Sequence, residues 1–217
     1  MFVSATSGDV GETSDHVPTI RGRTPIALQA GPSSVPAELI SFHGLADRRE
    51  HLAVRIGKPG RVPLVRLHSE CLTGDVFGSL RCDCGPQLHE AIAKIDRAGG
   101  YLLYLRQEGR GIGLYNKLDA YRLQDQGLDT FAANRKLGRA DDERDYTVAA
   151  QMLRSLGVDE IDLLTNNPDK VEQLRGAGIV LRSVFSTDVH SNPDNYRYLK
   201  AKVVEARHAI ELERAGS

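Results

Sequence analysis

The sequence lacks an excess of charge of either sign, since 28 lysine and arginine residues balance 29 aspartate and glutamate residues. A protein that coats nucleic acid is normally strongly basic, so we expect no nucleic-acid partner. The sequence also lacks a run of about 20 apolar residues, which predicts that no helix crosses a membrane. Residues 1–15 contain neither the basic start nor the apolar segment of a secretory signal, so we expect a cytoplasmic protein.

Cysteine is scarce, and the three cysteines, Cys71, Cys82 and Cys84, lie close together in the sequence. An odd number of thiols in a reducing compartment is a poor framework for disulfides. Thiolates are soft ligands that favour zinc over magnesium or calcium. The spacing leaves three interpretations open: a catalytic zinc with a position for water, a structural zinc closed by His68 as fourth ligand, and no metal.

The remaining sequence alternates between segments of strand and helix periodicity, which indicates an α/β fold. Hydrophobic residues make up 41% of the 217 positions, which is typical of a chain that folds around a core. We predict a layered mixed sheet with flanking helices, with strands at 51–57, 62–68, 101–105, 161–165 and 179–184, and helices at 86–99, 114–127, 144–157, 168–178 and from Asn195 onward.

The first two predicted strands are expected to pair with each other through the turn at 58–61. Residues 31–38 contain two prolines and two serines and are expected to form a loop. No linker interrupts the middle of the sequence. We therefore expect a single domain over residues 21–212, between short tails at 1–20 and 213–217.

A glycine-rich loop follows the predicted strand at 101–105 and precedes the next helix. Its glycines, Gly109, Gly111 and Gly113, allow backbone amides to turn toward a bound anion. Two arginines of the loop can bind phosphate through parallel hydrogen bonds. The glycine spacing fits neither a Walker A motif nor a dinucleotide fingerprint, so the loop alone is only a weak indication of a phosphate site.

Two further polar segments each have a functional and an ordinary interpretation. Residues 141–145 are mostly acidic and either carry chemistry or begin a helix, where acidic side chains favour the helix dipole. Residues 163–170 end a strand in a Thr-Asn-Asn-Pro turn and place Lys170 in the first turn of a helix, where α/β folds often bind phosphates. The ordinary interpretation of this segment is a turn with a surface lysine.

Taken together, four segments closely resemble the GTP cyclohydrolase II family. They are RLHSECLTGDVFGSLRCDCG (66–85), LRQEGRGIGLYNKLDAYRLQDQGLDT (105–130), DDERDY (141–146) and LLTNNPDK (163–170). The resemblance implies the α/β fold of that family and favours the open, catalytic zinc site over the structural one. It also implies that Cys71, Cys82 and Cys84 hold the zinc ion.

The resemblance implies an enzyme that opens the imidazole ring of GTP, releases C8 as formate, removes pyrophosphate and so begins riboflavin biosynthesis. Magnesium would accompany the triphosphate, and the chain would form a homodimer. Two alternatives to this reaction stay open. One is a paralogue that stops at the formylamino intermediate, and the other is a non-catalytic, zinc-stabilised nucleotide-binding protein.

Residue roles also follow from the resemblance. The matching positions make Arg144 the nucleophile toward the α-phosphorus, Asp142 its proton acceptor, and Tyr121 a catalytic residue near the opening ring. A guanidinium group is almost always charged, with a pKa of about 12.5 or higher, so Arg144 could instead stabilise phosphoryl charge while water attacks. The positions implied to bind GTP are Arg66, Leu67, His68, Ser69, Glu70, Gln87, Glu108, Gly109, Arg110, Thr130, Thr165 and Lys170.

Overall fold

The computed structural model describes residues 17–30, 33–140, 142–196 and 198–200. The described residues form a seven-stranded sheet whose strands are β1 (Thr19–Ala30), β2 (Ser33–His43), β3 (Leu52–Ile56), β4 (Leu64–Ser69), β5 (Gly100–Leu105), β6 (Glu160–Leu164) and β7 (Val180–Phe185). The order across the sheet is β1-β2-β3-β5-β4-β6-β7. The predicted class, a mixed sheet with flanking helices, is confirmed.

Helices lie on both faces of this sheet. They are α1 (Leu72–Asp75), α2 (Cys84–Ala98), α3 (Leu114–Asp125), α4 (Thr130–Lys136), α5 (Thr147–Ser155) and α6 (Pro168–Gly176), with a 3₁₀ turn at Glu108–Gly111. On one face, Ile92 and Ile95 of α2 pack into a core with strand residues. On the other, α5 and α6 form a second core in which Val65 and Leu67 of β4 are buried. Over the described ranges, no helix is long and apolar enough to span a membrane.

The antiparallel half of the sheet contains a prediction that is wrong. Residues 31–38 were expected to form a loop, but β2 begins at Ser33 and pairs with β1 along its whole length. Pro36 lies opposite Ala27 of β1, whereas pairing with β3 begins only at Ala37. Proline is tolerated there because its position has a neighbouring strand on one side only.

The predicted pairing of 51–57 with 62–68 is also wrong, although both segments are strands. β5 lies between them, antiparallel to β3 and parallel to β4. The longer α2 connection returns the chain to the gap, and Gly100 approaches Leu64 so closely that a Cβ there would lie 1.9 Å from the Leu64 carbonyl oxygen. Local sequence predicts that two neighbouring segments are strands, but it does not show that a strand from later in the chain lies between them.

Helix boundaries differ modestly from the prediction. α2 begins at Cys84 rather than Pro86, α5 begins at Thr147 rather than Arg144, and α4 was not predicted. β1 begins at Thr19, inside the segment expected to be a tail. Residues 1–16 and 201–217, which include most of both predicted tails and of the predicted C-terminal helix, lie outside the described residues.

Candidate active site

The parallel strands β4, β5 and β6 end at the same edge of the sheet, where open α/β sheets bind ligands. Sequence-distant segments meet there, and a cavity of about 100 Å³ opens beside them. Among the predicted site residues, the cavity is lined by Ser69, Glu70, Cys71, Cys82, Cys84, Glu108, Gly109, Arg110, Tyr121 and Arg144. The volume is below the roughly 300 Å³ of typical ligand pockets, so it suits the reacting part of a ligand rather than a whole nucleotide.

The three cysteines converge at this cavity. Their Sγ atoms all lie within 4.8 Å of one another, and those of Cys71 and Cys82 are 3.6 Å apart. Two thiolates bound tetrahedrally to one zinc ion at about 2.3 Å would be separated by about 3.8 Å. The cluster therefore fits a metal ion of this size, and it contains no fourth histidine or carboxylate ligand from the described residues.

Glycine 74 makes the close approach of the thiols possible. A Cβ at Gly74 would lie 2.7 Å from Cys82 Sγ and 3.2 Å from Cys71 Sγ. Real Cβ atoms do not come so close to sulfur, so a side chain at this position would push the ligands apart.

The thiols also carry the electrostatic character of a cation site. Hydrogen bonding to Cys71, together with burial, raises the pKa of Cys82 to about 11. Hydrogen bonds with the other two thiols and burial raise the pKa of Cys84 as well. The pKa of Cys71 is lowered by hydrogen bonds with the same two thiols, so it is Cys82 and Cys84 that need a bound cation to become thiolates at neutral pH, as in a metal-ligand set.

His68 is not part of the thiol cluster, although the structural-zinc interpretation would make it the fourth ligand. Its Nε2 donates to the Asp75 carboxylate at 3.0 Å, and that carboxylate also accepts hydrogen bonds from the Cys71 N–H and the Tyr104 hydroxyl. Burial lowers the pKa of His68 despite the neighbouring carboxylate. The histidine thus helps to anchor the turn that presents Cys71.

Four further residues predicted to bind GTP are engaged in hydrogen bonds within the protein. Arg66 donates to Gln87 Oε1 at 2.9 Å and to the Leu164 carbonyl oxygen at 3.1 Å. Lys170 donates to the Leu67 carbonyl oxygen at 2.7 Å. Buried Thr165 accepts a hydrogen bond from the Asn167 N–H. The cavity that contains the thiols is not lined by Arg66, Gln87, Thr165 or Lys170, so their binding of GTP stays a prediction.

The carboxylate of Glu108 fixes the glycine-rich loop through hydrogen bonds with backbone N–H groups. Its Oε2 accepts from the Leu72 N–H at 2.6 Å, and its Oε1 accepts from the Gly109 N–H at 2.9 Å. Arg110 has a φ of 62°, in the left-handed region that residues other than glycine rarely adopt. Gly109 and Arg110 of this loop line the cavity.

Arg144 and Asp142 form an ion pair at the cavity. Arg144 Nε donates to Asp142 Oδ1 at 2.8 Å, and its Nη2 donates to Oδ2. Burial alone would raise the pKa of Asp142, but the hydrogen bond and charge of Arg144 outweigh it and lower that pKa. The pKa of Arg144 is raised because nearby Tyr146 and Asp142 overcome the effect of burial. The guanidinium group is therefore a fixed cation.

Comparison with known proteins decides the family. The sequence model for GTP cyclohydrolase II matches residues 28–185. GTP cyclohydrolase-2 of Vibrio cholerae serotype O1 is 53% identical over 196 residues, 89% of this chain and 98% of that protein. GTP cyclohydrolase-2 of Psychromonas ingrahamii is 54% identical over 194 residues, 88% and 97% of the two chains.

The chain belongs to the GTP cyclohydrolase II family. Riboflavin biosynthesis protein RibBA of Bacillus mycoides is also similar, at 49% identity over 187 residues, which are 82% of this chain and 47% of that longer protein.

Several residues that line the cavity of this GTP cyclohydrolase II family member were not predicted from its sequence, among them Lys117 and Tyr198. Lys117 on α3 lies 3.1 Å from Cys71 Sγ, and Tyr198, near the end of the described chain, lines the cavity. Lys117 occurs within a quoted motif, but the sequence does not show that its side chain turns inward. Tyr198 gave no signal in the sequence. The side chain of Thr130 is not described.

Proposed function

We propose that this chain is a zinc-dependent GTP cyclohydrolase II that opens the imidazole ring of GTP, releases C8 as formate and removes pyrophosphate. The observation that carries the proposal is the convergence of three thiols and the Arg144 guanidinium group on one cavity. The thiols suit a metal ion, and the guanidinium group suits a phosphate. Ring opening requires the metal ion, and removal of pyrophosphate requires the cation.

The chemistry at the ring requires an activated water. Cys71, Cys82 and Cys84 would hold a zinc ion with one position left for water, and the ion would lower the pKa of that water toward 7. Tyr121 lines the same cavity, and its hydroxyl lies 3.5 Å from Thr73 Oγ1. Burial raises the pKa of Tyr121, so its phenol remains protonated at neutral pH and can donate to the opening ring.

The chemistry at the phosphates requires cations. We propose that Arg144 stabilises phosphoryl charge as a permanent cation, with Asp142 fixing its orientation. The ion pair supports this role over nucleophilic attack, because the carboxylate stabilises the charged guanidinium group. Within the described chain, no carboxylate cluster suits magnesium, so we propose that this ion enters bound to the triphosphate.

Product identity tests the proposal most directly. Purified protein is incubated with GTP and magnesium, the products are identified by mass spectrometry, and metal content is measured on the same sample. We expect formate, pyrophosphate and a diamino-ribosylaminopyrimidinone 5′-phosphate, with about one zinc per chain. A product that retains the formyl carbon would show that the reaction stops early. Tight GTP binding without any product would contradict the enzymatic proposal.

The homodimer and the cytoplasmic location remain predictions. Analytical ultracentrifugation of the full chain at several concentrations checks the first, since a dimer sediments at twice the chain mass of 23.8 kDa. Fractionation of the source cells checks the second.

A further inference from the structure

We propose that Lys117 is a positioning residue of the metal centre, whose ammonium group donates a hydrogen bond to the Cys71 thiolate and thereby limits the charge that this sulfur gives to the metal. The inference rests on the metal centre of the proposed function and adds to it a residue that acts through a ligand. It does not require Lys117 to touch substrate.

Lys117 has a hydrogen-bond acceptor for each of its three N–H donors. An ammonium group has three N–H donors. Lys117 Nζ lies 3.1 Å from Cys71 Sγ, 2.9 Å from Thr73 Oγ1 and 2.8 Å from Glu108 Oε1. Lys117 is only 8% exposed, so these contacts form away from bulk water, where charged hydrogen bonds are strong.

Burial of this lysine is not explained by stability alone. Removing an ammonium group from water is costly, and a buried ion pair is often replaceable by apolar side chains of similar volume without loss of stability. Glu108 compensates the charge of Lys117 but leaves one donor directed at sulfur. In the described part of the chain, Cys71 is the only one of the three thiols that receives a hydrogen bond from a charged side chain in this way.

The same ammonium group links the parts of the site. Glu108 belongs to the glycine-rich loop, and Thr73 lies 3.5 Å from the Tyr121 hydroxyl. Second-sphere donors to metal ligands tune both ligand orientation and electron donation. Lys117 therefore couples Cys71 to the loop and to the tyrosine that line the cavity.

Cobalt spectroscopy separates this role from a merely structural one. Wild-type protein and the variants Lys117→Met, Lys117→Gln and Lys117→Arg are stripped of metal and reloaded with Co²⁺ alone. We expect the thiolate-to-cobalt charge-transfer band to move to longer wavelength in Lys117→Met, because the sulfur lone pairs lose their cationic donor. Lys117→Gln should show a smaller shift, and Lys117→Arg should restore the wild-type position.

Lys94→Met is the matched control. Lys94 also pairs with a carboxylate, that of Glu90, but on α2 away from the thiols. This variant should leave the band unchanged. An unchanged band in cobalt-loaded Lys117→Met would overturn the proposal. If Lys117→Met does not fold, equal bands in Lys117→Gln and Lys117→Arg would overturn it instead. Wild-type protein that binds no cobalt through its thiols would contradict the metal centre itself, and so the proposed function.

Discussion

Two ion pairs of equal length show how differently the two halves of the sheet are used. Arg23–Glu38 joins β1 to β2, and Lys117–Glu108 lies at the carboxyl edge of the parallel strands; both measure 2.8 Å. The first pair is partly exposed, with 41% and 17% of its side chains accessible, and the second is buried, with 10% and 8%. Exposed pairs contribute about 0–1 kcal/mol, whereas breaking a buried pair costs roughly 3–5 kcal/mol.

The direction of the strands explains this difference. β5 pairs antiparallel with β3 and parallel with β4, so the sheet changes character at that strand. Only on the parallel side do successive strands end at one edge, and there the chain collects thiols, carboxylates and cations. The antiparallel side supports the sheet. Substitutions at the parallel edge should therefore change chemistry, and substitutions in the hairpin should not.

The largest effect is expected from Cys82→Ser. Loss of one thiolate should remove the bound metal and lower formate release by more than roughly 100-fold, which exceeds the usual cost of losing a mere neighbour of a ligand. Metal analysis and a formate assay on the same sample check this. A variant that keeps both its metal and its full turnover would refute the assignment of the site.

Arg144→Ala should impair phosphate chemistry while leaving the metal in place. Removal of a cation that stabilises developing charge typically costs roughly 10²–10³-fold in rate. Arg144→Lys should recover part of that loss, since lysine supplies charge without the planar fork. Pyrophosphate release and metal content are measured for both variants. Normal pyrophosphate release by Arg144→Ala would remove the role proposed for it.

Gly74→Ala should have a smaller effect than the substitutions of Cys82 and Arg144, and it should weaken both metal binding and stability. The new Cβ would contact Cys82 Sγ, and overpacking of this kind typically costs about 1–3 kcal/mol. We expect weaker metal retention during dialysis against a chelator and a lower melting temperature. Gly60→Ala is the matched control, because a Cβ there meets nothing within 4 Å. Equal behaviour of the two variants would show that the thiols do not depend on close approach.

How much of the site was predictable depends on whether its geometry is local. Cys82 and Cys84 are separated by one residue, so their proximity follows from the chain itself. Cys71 was grouped with them because the three cysteines lie within 14 residues, and the family resemblance then favoured a catalytic zinc site. Lys117 was missed because the inward direction of a helical side chain is set by how the helix packs. Sequence order also cannot show that Glu108 is fully engaged by Leu72 and Lys117.

The fold was predictable to a similar extent. The parallel strands β4, β5 and β6 were all expected; β5 is a nearly continuous apolar run, whereas β4 and β6 mix apolar residues with polar ones. β2 was missed because Pro36 suggests a loop, and only the partner strand shows that its position tolerates proline. The position of β5 between β3 and β4 depends on tertiary packing, which no local sequence pattern encodes.

Tyr146→Phe probes the buried core next to the site at alkaline pH. Burial raises the pKa of Tyr146 to about 12, whereas a free phenol ionises near 10. The stabilisation is therefore complete below about pH 10 and is lost as the pH rises toward 12, by about 2–3 kcal/mol. Tyr146→Phe should lose less stability over this interval, as measured by urea unfolding. Parallel curves for the two proteins would contradict the buried phenol.

Arg23→Ala should have the smallest effect and completes the comparison of the two ion pairs. Because the Arg23 side chain is 41% exposed, we expect the free energy of unfolding to change by less than about 1 kcal/mol. That change should shrink further at high salt, since exposed charges are screened. Metal content and formate release should equal those of the wild type, because β1 contributes nothing to the cavity. A large loss of activity in Arg23→Ala would mean that the hairpin supports the site directly, and the division of the sheet into a chemical and a supporting half would be wrong.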